Sequence, residues 1–171
     1  MENPNPEIDE AIPSSSSLDT LTLADLERMD SAYSEKLTAD EVYHLLREIK
    51  DPEHPELSLS QLRVVRLADI QVVDASDSAT ISVEYTPTIP TCSVAVLIGL
   101  TLLRKLQLCV PSRFKISVKI SPGKHVQEKQ VNKQLADRER VAAAMENPNL
   151  SKMVREGVYR TDSLPDQLLV W

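Results

Sequence analysis

Two prolines set three residues apart, Pro87 and Pro90, constrain this chain more than any other feature. Each ring fixes its own φ and pushes the preceding residue out of the helical region, so Thr86 to Pro90 must run extended. The sequence then turns apolar: Val94-Ala95-Val96-Leu97-Ile98-Gly99-Leu100-Thr101-Leu102-Leu103. That run has the length of a core helix and is too short to cross a bilayer. A strand-like segment, Thr80 to Thr86, leads into the prolines. The order predicted is strand, rigid loop, buried helix, with Cys92 at or just before the helix start. A thiol there lies near the positive end of the helix dipole and near unpaired backbone amides. Both favour the thiolate, which predicts a lowered pKa and an aptitude for metal or thiol chemistry. A small buried cysteine without chemistry fits the same position.

Around this stretch the remaining elements follow from periodicity. Thr38-Ala39-Asp40-Glu41 is a capping box, and Val42, Leu45, Leu46 and Ile49 follow at helical spacing, predicting an amphipathic helix to about Lys50. Asp51-Pro52-Glu53-His54-Pro55 stops it. Val64 to Val73 and Thr80 to Tyr85 alternate around the turn residues Asp74 to Ser78 and read as a hairpin, with Ile81, Val83 and Tyr85 on one face. The apolar helix, about Ser93 to Leu106, requires cover on more than one side, from the sheet and from another helix or a partner chain. Arg113 to Ile120 is a third strand, Pro122-Gly123 a turn, and Val126 to Met145 a single last helix closed by Asn147-Pro148-Asn149. The fold expected is α+β: a two-layer domain with helices on a small three-stranded sheet, in the order helix, strand, strand, helix, strand, helix. Residues 1–35 form an acidic, Ser- and Pro-rich tail expected to be largely disordered, 36–155 the domain, and 156–171 a C-terminal tail.

Composition excludes several classes. A net charge of −7 gives no broad basic face for nucleic acid, and 4% aromatics give no base-stacking platform. Three glycines cannot build a phosphate-cradling loop. Two cysteines, Cys92 and Cys109, make no disulfide framework. The first residues lack a basic-then-apolar leader, so a cytosolic or nuclear thiol protein is expected, with no membrane partner.

Three clusters carry candidate chemistry. Asp51, Glu53 and His54 share a proline-fixed loop suited to acid/base or ligand work, or simply to solvated polar residues. His44, His54, His125 and the cysteines show no paired-ligand spacing, which argues against a dedicated zinc site. The mixed-sign run Asn132 to Arg140 is either a solvated helix face or a partner-binding one.

Taken together, Asp51-Pro52-Glu53-His54-Pro55, Thr86-Pro87-Thr88-Ile89-Pro90 with Cys92-Ser93, Leu97-Ile98-Gly99-Leu100, Pro122-Gly123 with His125, and Val131-Asn132-Lys133-Gln134-Leu135-Ala136-Asp137 with Glu139-Arg140-Val141-Ala142-Ala143-Ala144 resemble one pattern. It is similar to the eukaryotic cytosolic iron–sulfur assembly targeting component, a relative of the small bacterial SufT and PaaD proteins, over residues 39–155. The resemblance implies a non-enzymatic adaptor, cytoplasmic and also nuclear, that joins a WD40 propeller protein and a HEAT-repeat scaffold. It implies help in passing clusters to cytosolic and nuclear apoproteins, including proteins of DNA metabolism and chromosome segregation. The family's reactive cysteine falls on Cys92, its acidic loop on Asp51 and Glu53, and its histidine after the Pro-Gly turn on His125. Asn132, Lys133, Asp137 and Arg140 fall on the matching helix and are expected to bind partners. Thr91 stands where eukaryotic members usually carry histidine, and Lys124 where a small hydroxyl residue is common. One thiolate cannot hold a cluster alone, so no stably bound cofactor is expected, only a transient cluster shared with another chain, with Cys92 as this chain's metal ligand.

The competing expectations are a thiol enzyme with Cys92 as nucleophile and His125 or His54 as base, and an interaction domain with an inert Cys92. A homodimer is expected of the isolated domain, because the apolar helix needs cover and three strands leave two edges. Trp171, after Leu168-Leu169-Val170, is a candidate anchor for a partner pocket.

Overall fold

The computed structural model describes residues 36–75 and 78–159. Five α-helices and three strands lie among them: α1 (Ala39–Leu46), β1 (Ile70–Asp74), β2 (Ala79–Tyr85), α2 (Ala95–Cys109), β3 (Lys115–Ile120), α3 (Glu128–Ala136), α4 (Arg138–Met145) and α5 (Pro148–Tyr159). The sheet order is β1-β2-β3. β1 and β2 pair antiparallel, Val72 opposite Ile81, and β2 and β3 pair parallel, Val83 opposite Val118. α2 is the crossover that a parallel pair requires. The α+β order read from the sequence is the order observed.

One sheet face makes the core. Ile81, Val83, Tyr85, Val118 and Ile120 are buried against Val42, Leu46, Leu100, Leu102 and Leu106. On the other face Lys119 Nζ meets Glu84 Oε1 at 3.0 Å across the parallel pair. Opposite charges directly across a strand pair stabilise it modestly.

The capping box is formed: Thr38 Oγ1 accepts from Glu41 N–H at 3.3 Å, and Glu41 Oε2 accepts from Thr38 N–H at 2.8 Å. α1 stops at Leu46, short of Lys50, although Ile49 is still buried. The first strand begins at Ile70 and not at Val64. Val64 and Val65 are buried in a turn, and a short 3₁₀ turn, Leu67–Asp69, intervenes.

The single last helix expected from Val126 to Met145 is two. Asp137, at φ −97° and ψ 111°, ends α3 and caps α4, accepting from the amides of Glu139 and Arg140. Asn147-Pro148-Asn149, expected to close the last helix, instead opens another, Pro148–Tyr159. Asn147 Oδ1 accepts from the amides of Asn149 and Leu150, Pro148 takes the first helical position, and Val154 and Val158 are buried. Pro at the first position after an Asn cap is a start signal, not a stop. α5 runs as far as Tyr159.

α5 also supplies the second cover that the apolar helix needed. A Cβ on Gly157 would lie 2.9 Å from Thr101 Cγ2, so α5 and α2 approach at a glycine. That part of the argument for a dimer is answered within the chain.

Candidate functional site

Three loops meet at the carboxyl ends of the parallel strands β2 and β3, where α/β crossovers leave a crevice. The first is Asp51 to Glu56. It is closed by a bridge between Lys50 and Ser58, with Asp51 N–H donating to Leu57 O at 3.1 Å. Asp51 is buried, and its Oδ1 accepts from the amides of Glu53 and His54, both at 2.9 Å. The aspartate thus shapes the loop and sends Glu53 outward.

The second loop, Thr86 to Val94, carries Cys92. A turn closes from Cys92 N–H to Ile89 O at 3.2 Å. The third, Ser121 to Gln127, is tied to it through Val126 N–H, which donates to Pro90 O at 2.9 Å, through the Thr86 hydroxyl, which donates to Ser121 Oγ at 3.2 Å, and through His125. His125 is buried beneath Cys92. Its Nε2 lies 3.1 Å from Cys92 O, and Gln127 N–H donates to its Nδ1 at 3.1 Å. A carbonyl can only accept, so Nε2 carries the proton and Nδ1 is bare. The two contacts select the neutral Nε2–H tautomer.

The sulfur faces the first loop. Cys92 Sγ–H lies 3.9 Å from Glu53 Oε2, and the Ser93 hydroxyl donates to Glu53 Oε1 at 3.3 Å. Cys92 is 4% exposed, whereas Ser93 and Glu53 lie at the surface. Burial pushes the Cys92 thiol up from its ordinary value; the Val94 amide pulls the other way, and the charges of Glu53 and Asp51 push up again. The lowered pKa expected from a helix start is therefore overturned. α2 begins at Ala95, three residues later, with Val94 at its N-cap, so the dipole argument fails at Cys92 while desolvation and two carboxylates act on the thiol.

Neither histidine named as a base is placed to act on the Cys92 sulfur. His125 spends Nε2 on the Cys92 carbonyl and Nδ1 on an amide, leaving neither as a base toward the sulfur. His54 is exposed, with Nδ1 3.7 Å from Glu56. His44 is exposed beside Asp40. Among the described residues no three His, Cys, Asp or Glu side chains are grouped to hold a metal ion.

The iron–sulfur cluster assembly protein family profile matches residues 39–120. The chain is 50% identical over 127 residues to cytosolic iron-sulfur assembly component 2B of Mus musculus, covering 74% of this chain and 76% of that one. The chain belongs to the MIP18 family of iron–sulfur cluster assembly proteins. It is also 51% identical over 116 residues to the MIP18 family protein galla-2 of Drosophila melanogaster (68% of this chain, 72% of that one), and 55% identical over 111 residues to a MIP18 family protein of Schizosaccharomyces pombe (64% and 62%).

Within the MIP18 frame, Asp51, Glu53 and Cys92 fall inside the matched profile and His125 beyond it, yet the fold gathers all four. Two of the expected partner-binding residues have internal work. Asn132 clamps β3: its Oδ1 accepts from Ile120 N–H at 2.7 Å, and its Nδ2 donates to Ile120 O at 3.4 Å. Asp137 is the cap of α4 and accepts from Arg140 Nε at 3.1 Å. Lys133 and Arg140 are exposed on this helical pair. Trp171 lies outside the described residues.

Sequence reasoning missed several members. Tyr85, buried on β2, donates to Ala95 O at 2.8 Å, and its phenol is pushed far up by burial and by the nearby Cys92. It fixes the start of α2 to the sheet. Ile89 and Val126 are 53% and 71% exposed on the two loops that flank Cys92. Exposed apolar residues that sequence alone assigned to no surface can be placed only once the loops are folded together. No helix among the described residues is long and apolar enough to cross a membrane.

Proposed function

We propose that this chain is a non-enzymatic adaptor of cytosolic iron–sulfur protein assembly, with Cys92 as the thiol that touches the cluster in transit. The observation that carries the reading is the placement of Cys92: one thiol, in a loop braced from below by His125 and faced by Glu53, in a member of this family. The relatives' names supply the cytosolic assembly role.

The carboxylates give the thiol its chemistry. Without a cation, Glu53 and Asp51 disfavour the thiolate. An arriving iron cation inverts that balance, because the same carboxylates attract it and its charge expels the thiol proton. The site then ligates only while metal is present. His125 holds the Cys92 carbonyl, while the sulfur faces Glu53, the side from which the cluster comes. The remaining ligands come from a second subunit, a partner or the apoprotein client.

A WD40 propeller protein, a HEAT-repeat scaffold and iron–sulfur apoproteins are the partners proposed, in the cytoplasm and the nucleus. The exposed Ile89 and Val126 offer apolar contact beside the thiol, where a client must come close. A homodimer of the isolated domain remains a proposal resting on the sheet edges alone. Affinity purification of the full chain from cells, with identification of co-purifying proteins, tests the adaptor role. Recovery of a propeller and a HEAT-repeat protein is expected. Their absence from every preparation would contradict it.

A further inference from the structure

At the end of α2 opposite Cys92 lies a groove of about 1350 Å³. Its walls come from the second half of α2, from β3, and from α4 and α5. The floor is apolar: Val141 and Met145 are half-buried there, backed by Leu103, Phe114, Val154 and Val158 of the core. The volume exceeds that usual for a small-molecule pocket and suits a peptide segment. Lys115, Ile116, Ser117 and Val118 all line it, although successive strand side chains point to opposite faces. Four successive residues of the six in β3 mark this wall as the strand's edge, short of Ile120, where Asn132 occupies it, and β3 is the terminal strand of the sheet. The groove therefore combines an apolar floor with a sheet edge, the arrangement an extended peptide adds to.

Its charge narrows the occupant. Lys115, Arg138 and Arg155 are exposed on the walls, and Glu146 is the acidic residue among the lining side chains. This cationic groove stands in a chain whose net charge is −7. It favours an apolar segment carrying acidic residues.

Such a segment is attached to the groove. Tyr159, the last described residue, lines the wall, so the chain leaves α5 at the groove itself. The residues that follow include Asp162, Asp166 and the run Leu168-Leu169-Val170-Trp171. Fully extended, they reach about 40 Å, enough to turn back along β3. A segment tethered so closely meets the groove at an effective concentration on the order of millimolar, which a second copy or a free partner does not reach.

We infer that this groove binds residues 160–171 of the same chain, with Leu168 to Trp171 on the apolar floor and the aspartates toward Lys115, Arg138 and Arg155. The inference is independent of the adaptor reading. A docked segment leaves the Cys92 loops open, since α2 separates the two regions by about 20 Å at 1.5 Å per residue.

Trp171 is the one tryptophan of the chain, so its fluorescence reports the docking directly. The full chain is compared with a free peptide of residues 160–171, by emission wavelength and by acrylamide quenching, across a wide range of protein concentration. Expected are emission at shorter wavelength and weaker quenching than in the peptide, independent of concentration. Ala142→Arg, at an exposed position in the groove wall, should return both to the peptide's values. Should that variant fail to fold, Arg138→Glu with Arg155→Glu, both at the surface, should shift the same readouts in the same direction. Peptide-like emission from the full chain would overturn the inference. So would a blue shift that grows with concentration, which would assign the groove to a second copy, or one that survives all these substitutions.

Discussion

At Cys92 burial and two carboxylates act together against ionisation, and a stability consequence follows from the sign. A thiol whose folded pKa lies above its unfolded one leaves the folded state holding more protons in the window between them. Its contribution is complete below the ordinary thiol value and is lost as pH rises through the raised one. Between about pH 8 and pH 10 the urea midpoint should therefore fall in the natural chain and fall less in Cys92→Ser. Equal alkaline slopes in the two proteins would contradict the burial of the thiol. Reactivity gives a second reading of the same fact. Cys109, the last residue of α2, is exposed, and Cys92 is not. Iodoacetamide near neutral pH should label Cys109 first, as followed by peptide mass. Metal ions that bind the site should release a proton, and their affinity should rise with pH. The gathering of Asp51, Glu53, Cys92 and His125 was legible through the family pattern in the sequence. The direction of the thiol's shift was not, because it depends on a loop 39 positions away and on where α2 begins.

The elements show which sequence signals are sufficient and which are ambiguous. β2 was plain because Ile81, Val83 and Tyr85 alternate strictly and all three are buried. The capping box before α1 was plain because both reciprocal partners lie three residues apart. Asp137 was not, since Lys, Gln, Ala, Arg and Glu on either side are all good helix formers and their summed propensity hides one cap. α5 is hidden in the sequence because Asn147-Pro148 reads as a stop, although Leu150, Val154 and Val158 repeat at helical spacing beyond it. Two substitutions test the packing between elements. A Cβ on Gly99 would lie 2.5 Å from Leu135 Cδ1 and 2.8 Å from the Tyr85 hydroxyl. Gly99→Ala gains helix propensity but overpacks a buried contact between α2, α3 and β2. A net loss of about 1–3 kcal/mol is expected in urea unfolding; a gain would mean that the contact yields. Asn132→Ala removes both hydrogen bonds to Ile120, and a loss of about 1–3 kcal/mol is expected with partner recovery unchanged. Loss of a partner at undiminished stability would return Asn132 to the binding surface.

For the whole molecule, an α+β domain with three strands was readable because β2 and β3 alternate and the central helix is one apolar run of helical length. The cover of α2 was not readable, since the helix that provides it was hidden behind a proline. Two distinct features lie along α2: three loops around Cys92 toward its start, and a cationic groove toward its end. The central claim is that the thiol end handles iron. Cys92→Ser tests it. A hydroxyl is nearly isosteric, and Glu53 can accept from it, so stability should fall by only about 1–2 kcal/mol. A hydroxyl is also a poor soft-metal ligand that scarcely ionises near neutral pH. The measurement is radio-iron incorporation into a cytosolic iron–sulfur client in cells whose only copy carries Cys92→Ser, at matched protein level, with Cys109→Ser alongside. The account predicts loss of incorporation with the first and retention with the second. Full incorporation with Cys92→Ser would contradict it.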